Sequence, residues 1–288
     1  MTKIDVRKII EEKIPDFYKR LPETVAKLFE LLISKILKVK ELNKIFEIYH
    51  DKYNFEFIDS FFEYINFKSI VSTEDIKKIP AKGKLVCIAN HPLGALDGLA
   101  LLQTVGKVRK DVKIIANNIL LNLDFLKELF LPVDSLSKKI QKTSINLIID
   151  SLKRDEAIII FPGASVARLT LAGIRDYHWK DGAFKFALKY NAPILPFYVS
   201  GKNSMMFYFA NFIHTKLPNL LLAREILKKS NKSIELKVGE LIEPENLKKR
   251  NLNIETIKQL LRNYIINIGK KKSASISLEL DNEKLMPH

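Results

Sequence analysis

Lys84-Leu85-Val86-Cys87-Ile88-Ala89-Asn90-His91-Pro92-Leu93-Gly94-Ala95-Leu96-Asp97-Gly98-Leu99-Ala100-Leu101-Leu102 is the stretch on which the fold turns. Its first six residues make an apolar run of strand length. A proline and a glycine then break the chain, and Asp97 opens a second apolar run that reads as a helix start, since Asp is a favoured N-cap. Catalytic groups tend to sit on a strand-to-helix turn of this kind.

The same alternation continues outward. Strands are expected near 84–89, 112–116, 156–161, 193–199 and 233–238, and helices near 97–107, 119–129, 138–153, 181–190, 218–229 and 253–268. That order implies an α/β layered domain with a largely parallel sheet. Residues 5–75 read instead as helices, over Asp5–Glu12, Pro22–Lys40 and a stretch between Ile58 and Phe67. The expected division is a helical region over 1–75, a sheet domain over 76–245, and a C-terminal helix with a polar tail over 246–288. Pro193 and Pro196 in one apolar strand argue for a sheet edge or a strand start.

The 288 residues can bury one large core, and a net charge of +15 calls for an anionic partner, nucleic acid or an acidic bilayer. The lysines are spread along the chain, with no zinc spacing, RNP-like strand or helix-turn-helix signature. The single cysteine, Cys87, reads as a small buried hydrophobe and excludes an intramolecular disulfide. No cluster of His and carboxylates suggests a metal. The N-terminus lacks a secretory h-region and no run of eighteen apolar residues occurs, so the chain is expected to lie on a membrane without crossing it. Val25–Lys40 is amphipathic with a basic rim, suited to docking in an interface or to packing on the core. Met205–Ile213 and Phe55–Phe67 are aromatic runs open to the same two readings.

His91 and Asp97 can do chemistry together. A neutral imidazole takes the proton of an alcohol as its oxygen attacks a carbonyl, and a carboxylate on the other ring nitrogen fixes the tautomer and stabilises the imidazolium. The substrate then brings the hydroxyl, and no serine nucleophile is needed. The plainer alternative is that His91 occupies the turn and Asp97 caps the helix. Further along, Ala157-Ile158-Ile159-Ile160 runs into Phe161-Pro162-Gly163-Ala164-Ser165-Val166-Ala167-Arg168. Arg168 offers a fork of donors for phosphate or carboxylate, or is a solvated loop cation. Asn117 or Asn118, after Val112–Ala116, would suit a polar group of a substrate, and backbone amides around Gly94 or Gly163 are candidates to face an oxyanion.

Asn90 to Gly98 resembles the Asn-His…Asp box of the glycerolipid acyltransferase family, the lysophospholipid acyltransferases. It is most similar to the bacterial branch labelled hemolysin-like, which acylates lysolipids including lyso-ornithine and lyso-glycine lipids. Five residues separate His91 from Asp97, against the usual four. The Phe161 block is similar to the family's Phe-Pro-Glu-Gly-Thr-Arg block, with the carboxylate missing and the arginine two places late. Asn191–Ser204 is similar to its late Pro-rich strand. The resemblance covers roughly residues 75–245 and implies an acyltransferase domain there. It implies His91 as general base with Asp97 as partner, Asn90 beside them, and Phe161, Pro162 and Arg168 at the acceptor. The implied reaction moves an acyl group from acyl carrier protein or acyl-CoA to a lysolipid hydroxyl, without a further cofactor. With these motifs an anionic membrane surface is favoured over nucleic acid as partner, an acidic carrier protein also suits the charge, and the expected location is peripheral, on the cytoplasmic face of the inner membrane.

Two rival readings stay open. Gly163-Ala164-Ser165-Val166-Ala167 nearly completes a nucleophile elbow, with Asp176 or Asp181 and His214 in the order of a serine lipase or esterase. A non-enzymatic membrane-binding or pore-forming protein is the other, though the chain lacks long alternating strands for insertion. His50, His214 and His288 have no acidic partner at a telling spacing, and His178, beside Tyr177 and Trp179, suits a pocket or plain packing.

Overall fold

A computed structural model describes residues 4–13, 16–117, 123–133, 142–170, 173–176, 178–213 and 217–270. Helices α1 (Val6–Lys13), α2 (Glu23–Leu37), α3 (Val39–Ile48) and α4 (Asn54–Tyr64) come first, followed by strand β1 (Lys68–Ile70) and the short α5 (Thr73–Lys77). Strand and helix then alternate through β2 (Leu85–Ala89), α6 (Ala95–Gly106), β3 (Val112–Asn117), β4 (Phe130–Val133), α7 (Lys142–Lys153) and β5 (Ala157–Ile160). A ribbon of β6 (Arg168–Thr170) and β7 (Gly173–Arg175) interrupts the pattern. The chain closes with α8 (Gly182–Tyr190), β8 (Ile194–Val199), α9 (Met205–Ile213), α10 (Leu217–Leu227), β9 (Ser233–Val238), α11 (Pro244–Lys249) and α12 (Ile254–Lys270).

The main sheet has seven strands in the order β1-β9-β8-β2-β5-β3-β4. Every neighbouring pair is parallel except β8 with β9. All five residues of β2 are buried, as a strand covered on both faces requires. Successive side chains point to opposite faces. Leu85 and Cys87 therefore enter one core, with α3, α4 and α6, while Val86 and Ile88 enter a second, with α7, α8 and α12. A third cluster joins α1, the α2–α3 junction, α9 and α10 to Val166.

All five expected strands form, within a residue or two of their expected ends. Pro193 immediately precedes β8, at a strand start as expected, whereas the expectation is corrected for Pro196, which lies inside β8, a central strand. Proline is tolerated there because the β8–β9 ladder begins only at Phe197, opposite Val238. The Pro196 oxygen accepts from Gly239 N at 2.8 Å, so the missing N–H faces the same way, toward the segment where β9 has already ended. Pro132, in contrast, lies in an edge strand, β4, where the usual rule holds.

The helix expected over Pro22–Lys40 is two helices, because Lys38 adopts a left-handed φ of 55° and ends α2. In place of a helix over 119–129 there is a 3-10 turn over Asp124–Leu129 that feeds directly into β4, residues 118–122 lying outside the described residues. The run Phe55–Phe67 belongs to the core: Phe57, Ile58, Phe61 and Phe62 of α4 are buried. The polar tail from Lys271 lies outside the described residues.

Burial separates positions that matter for stability from those that do not. Phe184→Ala empties a fully buried ring site between α8 and the sheet and is expected to cost about 3–5 kcal/mol. Leu28→Ser, at a side chain 69% exposed, should stay within about 0.5 kcal/mol of the parent. Urea unfolding of the two variants measures both.

Candidate active site

The site is built where β2 ends. Asn90 extends the strand with its side chain: Nδ2 donates to the Val199 oxygen at 2.8 Å, and Oδ1 accepts from Val199 N at 2.7 Å. The amide thus replaces the main-chain partner that β8 loses as the chain turns away. The turn then depends on Gly94, at φ 92°, where a side chain is strained and a Cβ would stand 2.6 Å from Leu222 Cδ2. Helix α6 starts at Ala95, so Asp97 is not the N-cap residue but lies in the first turn with its carboxylate reaching back.

That carboxylate is fully buried. Its Oδ2 accepts from Leu93 N at 2.8 Å and from Gly94 N at 3.0 Å, and lies 3.0 Å from His91 Nδ1. Facing a carboxylate, which only accepts when ionised, Nδ1 is the ring nitrogen suited to carry the hydrogen, and Nε2 is the one then left with a lone pair. The helix-end role and the histidine-partner role, alternatives from sequence, are filled by one oxygen. The His91 ring is 16% exposed and stacks on Phe161, with centroids 3.9 Å apart and planes at 19°. A Cβ at Gly98 would lie 2.9 Å from Ile114 Cδ1 and 3.9 Å from the Phe161 ring, so a side chain there would press on the histidine's support.

The main chain of His91 is held from both sides. Ala167 N donates to its oxygen at 2.8 Å, and its own N–H donates to Asp176 Oδ1 at 3.1 Å. Trp179 Nε1 donates to Asp176 Oδ2 at 3.4 Å, and Arg262 Nη2 donates to the Asp176 main-chain oxygen at 3.0 Å. Burial raises the Asp176 carboxyl above the usual range, against the pull of these donors. Asn203 Nδ2 donates to the Pro92 oxygen at 3.2 Å. Blocks of sequence a hundred residues apart therefore meet at one turn, at the carboxyl ends of parallel strands β2 and β5.

Phe161 touches His91, and Pro162 and Gly163 are buried just beyond it, with Lys180 N donating to the Pro162 oxygen at 2.9 Å. Arg168 opens β6. Asn117 ends β3, but its side chain, and all of Asn118, lie outside the described residues. The Gly94 amide is committed to Asp97 and so is not placed to face an oxyanion. Asp176 carried no local signal for this role, because it reaches His91 only through the ribbon.

The elements of a nucleophile elbow do not assemble. After Ser165 the chain runs into the β6–β7 ribbon and not into a helix, so the strand–turn–helix that exposes such a serine is missing. Asp176 is turned to the His91 amide, and Asp181 pairs with Lys185 and Lys258 at 2.9 and 3.0 Å, which holds its carboxyl below the usual range. His214 lies outside the described residues. Burial pushes the Cys87 thiol up to about 12, so it offers no thiolate.

The sequence profile of a family described as acyltransferase matches residues 8–266. A lyso-glycine lipid O-acyltransferase of Bacteroides thetaiotaomicron is 29% identical over 246 residues, covering 83% of this chain and 88% of that protein. A protein of the same description from Phocaeicola vulgatus is 28% identical over 246 residues, covering 83% and 86%. Among solved structures, the 1-acyl-sn-glycerophosphate (LPA) acyltransferase PlsC from Thermotoga maritima aligns over 90% of this chain and 88% of that one, at 15% identity and a TM-score of 0.49.

Asn90→Ala strips both Val199 main-chain groups of their partner and is expected to lower the unfolding free energy by about 1–3 kcal/mol. An unchanged urea midpoint would show that the side chain is not the brace described.

Proposed function

The chain belongs to the acyltransferase family, and on that premise we propose that it moves a fatty acyl group from a thioester, acyl carrier protein or acyl-CoA, to the hydroxyl of a lysolipid. The observation that carries this reading is the 3.0 Å contact between His91 Nδ1 and the buried Asp97 Oδ2. It leaves Nε2, the ring nitrogen away from Asp97, to act as the base. The acceptor O–H gives its proton to Nε2 as the oxygen forms a bond to the thioester carbonyl carbon. The tetrahedral intermediate collapses with loss of the C–S bond, and the leaving thiolate takes the proton back from the imidazolium, which Asp97 has stabilised meanwhile. Fixing the ring between Phe161 and Asp97 supplies the orientation on which the rate depends.

The relatives point to the acceptor class. Glycine has no hydroxyl, so O-acylation of a glycine lipid needs a hydroxyl on its chain, and a glycine linked through nitrogen keeps a free carboxylate. We read the acceptor as such an amino-acid lysolipid. Gly163 and Ser165, where a carboxylate is familiar in related blocks, put no acidic charge against its head group.

An anionic bilayer is the proposed partner surface. Val25, Leu28, Phe29 and Leu32 stand on one stripe of α2, and all are exposed. Met205, Met206 and Phe209 of α9 are exposed too, and both helices pack on α10. Apolar area of this kind gains about 25 cal/mol per Å² on leaving water, and the +15 charge adds attraction to acidic lipid. Among the described residues no helix is long and apolar enough to cross a membrane. A peripheral position on the cytoplasmic face of the inner membrane, where acyl thioesters are made, fits this reading.

Two experiments test the proposal. In the first, a 3-hydroxyacyl-glycine is incubated with acyl-acyl carrier protein or acyl-CoA and products are read by mass spectrometry. Wild type and Ser165→Ala should form the diacylated lipid, while His91→Ala and Asp97→Asn should fall by about a hundredfold or more. Equal turnover by His91→Ala would refute the assignment. In the second, flotation with phosphatidylglycerol vesicles should recover wild type at low salt, and Leu28→Asp with Phe209→Asp should leave the protein at the bottom of the gradient.

A further inference from the structure

Among the described residues two carboxylates are withdrawn almost completely from water, Asp97 at 0% exposure and Glu225 at 1%. Asp97 partners the base, whereas Glu225, near the end of α10, has no place in the mechanism so far. Its neighbours on the helix include Leu221, Leu222, Ala223 and Ile226, and an apolar side chain there would bury without the cost of taking a charge out of solvent. Both of its oxygens are spent on one residue. Oε2 accepts from Ser204 N and Oε1 from Ser204 Oγ, each at 2.6 Å, short as bonds to an ionised acceptor are. One turn further on, Lys229 Nζ donates to the Lys202 oxygen. The loop between β8 and α9 is thus gripped at two points, on either side of Asn203.

Asn203 is itself buried. Its N–H donates to the Tyr208 hydroxyl at 3.0 Å, and its Nδ2 donates to the Pro92 oxygen at 3.2 Å. The Pro92 carbonyl and the Leu93 N–H belong to one planar peptide unit. Asp97 Oδ2 accepts from the N–H end at 2.8 Å, so the unit is strung between Asp97 and Asn203 and cannot turn away from one without leaving the other. The Gly201 backbone lies close behind, where a Cβ would stand 3.2 Å from the Leu93 side chain. Burial raises the Tyr208 hydroxyl above its usual value, the Asn203 amide opposes this, and the Glu225 and Asp97 carboxylates add to it, so both acids lie within electrostatic reach of one phenol.

We propose that Glu225 is a positioning residue for the base: through Ser204 it holds Asn203, Asn203 holds the Pro92–Leu93 peptide, and that peptide keeps its N–H on Asp97, the partner of His91. Without Glu225 the loop loses its anchor, the peptide turns, Asp97 gives up one of its three donors, and the ring leaves the geometry that sets the rate. The inference rests on the acyltransferase reading and adds to it a buried acid from a separate helix.

The test measures kcat and KM for transfer from acyl-acyl carrier protein to a 3-hydroxyacyl-glycine and to a lysophosphatidic acid, with folding followed by circular dichroism and urea titration. Glu225→Ala should lower kcat about tenfold or more while the donor and acceptor KM values stay within about twofold. Asn203→Ala should do the same, and the double variant should fall no further than the more impaired single one, because both break one chain of contacts. Glu225→Gln keeps an acceptor for Ser204 N and a partner for its hydroxyl, and should recover most of the loss. Ser204→Ala removes one of the two bonds and should fall between, standing in for Glu225→Ala if that variant does not fold. Full kcat in folded Glu225→Ala, with or without a lowered urea midpoint, overturns the proposal, and so does a loss that appears in KM or single losses that multiply. No transfer by wild type to either acceptor overturns the acyltransferase reading itself, whereas wild-type transfer that Glu225→Ala and Ser204→Ala leave untouched removes this inference alone.

Discussion

One buried oxygen, Asp97 Oδ2, organises the site. It gathers the Leu93 and Gly94 amides and the His91 ring within about 3 Å, so the path of the turn and the placement of the His91 ring are fixed together. A carboxylate removed from water is costly unless donors replace its hydration; three donors do so at Oδ2, while Oδ1 is buried without a hydrogen-bond partner among the described residues. The same economy explains Gly94. A side chain at that position would have to move Leu222 and could not follow the φ that brings both amides to the carboxylate.

Around this point the fold works as a clamp on a single peptide. β2 and β5 deliver His91 and Phe161 to the same edge, β8 is tied on by Asn90, and the ribbon grips the histidine's amide and carbonyl. Each contact is an ordinary hydrogen bond contributing about 0.5–1.5 kcal/mol to stability. Their joint effect is to fix the His91 main chain, and with it the ring, in one place. The exposed faces of α2 and α9 lie on the helical layer beside this clamp, linked to it through Val166 and Leu222.

Much of this was legible in the sequence, for identifiable reasons. The central strands announce themselves because full burial on both faces requires unbroken apolar runs such as Ile158–Ile160. The contact between His91 and Asp97 was legible because both lie on one short turn. Pro196 misled because its tolerance depends on where β9 stops, forty residues later. Lys38 gave no sign of a helix break, since a left-handed lysine is chosen by the packing of α2 and α3. Asp176 was legible only as a member of a triad that does not assemble. Its bond to the His91 amide depends on a ribbon of two three-residue strands, too short for a periodic pattern.

The central claim is that the acceptor hydroxyl attacks the thioester directly, with His91 as base and no acylated protein on the way. Intact-protein mass spectrometry after rapid quenching of a single turnover tests it most directly, with acyl thioester supplied both with and without the hydroxylated acceptor. The account predicts an unmodified protein mass throughout, with diacylated lipid appearing only when the acceptor is present. A protein heavier by one acyl group, formed before the lipid product and abolished by Ser165→Ala, would contradict it.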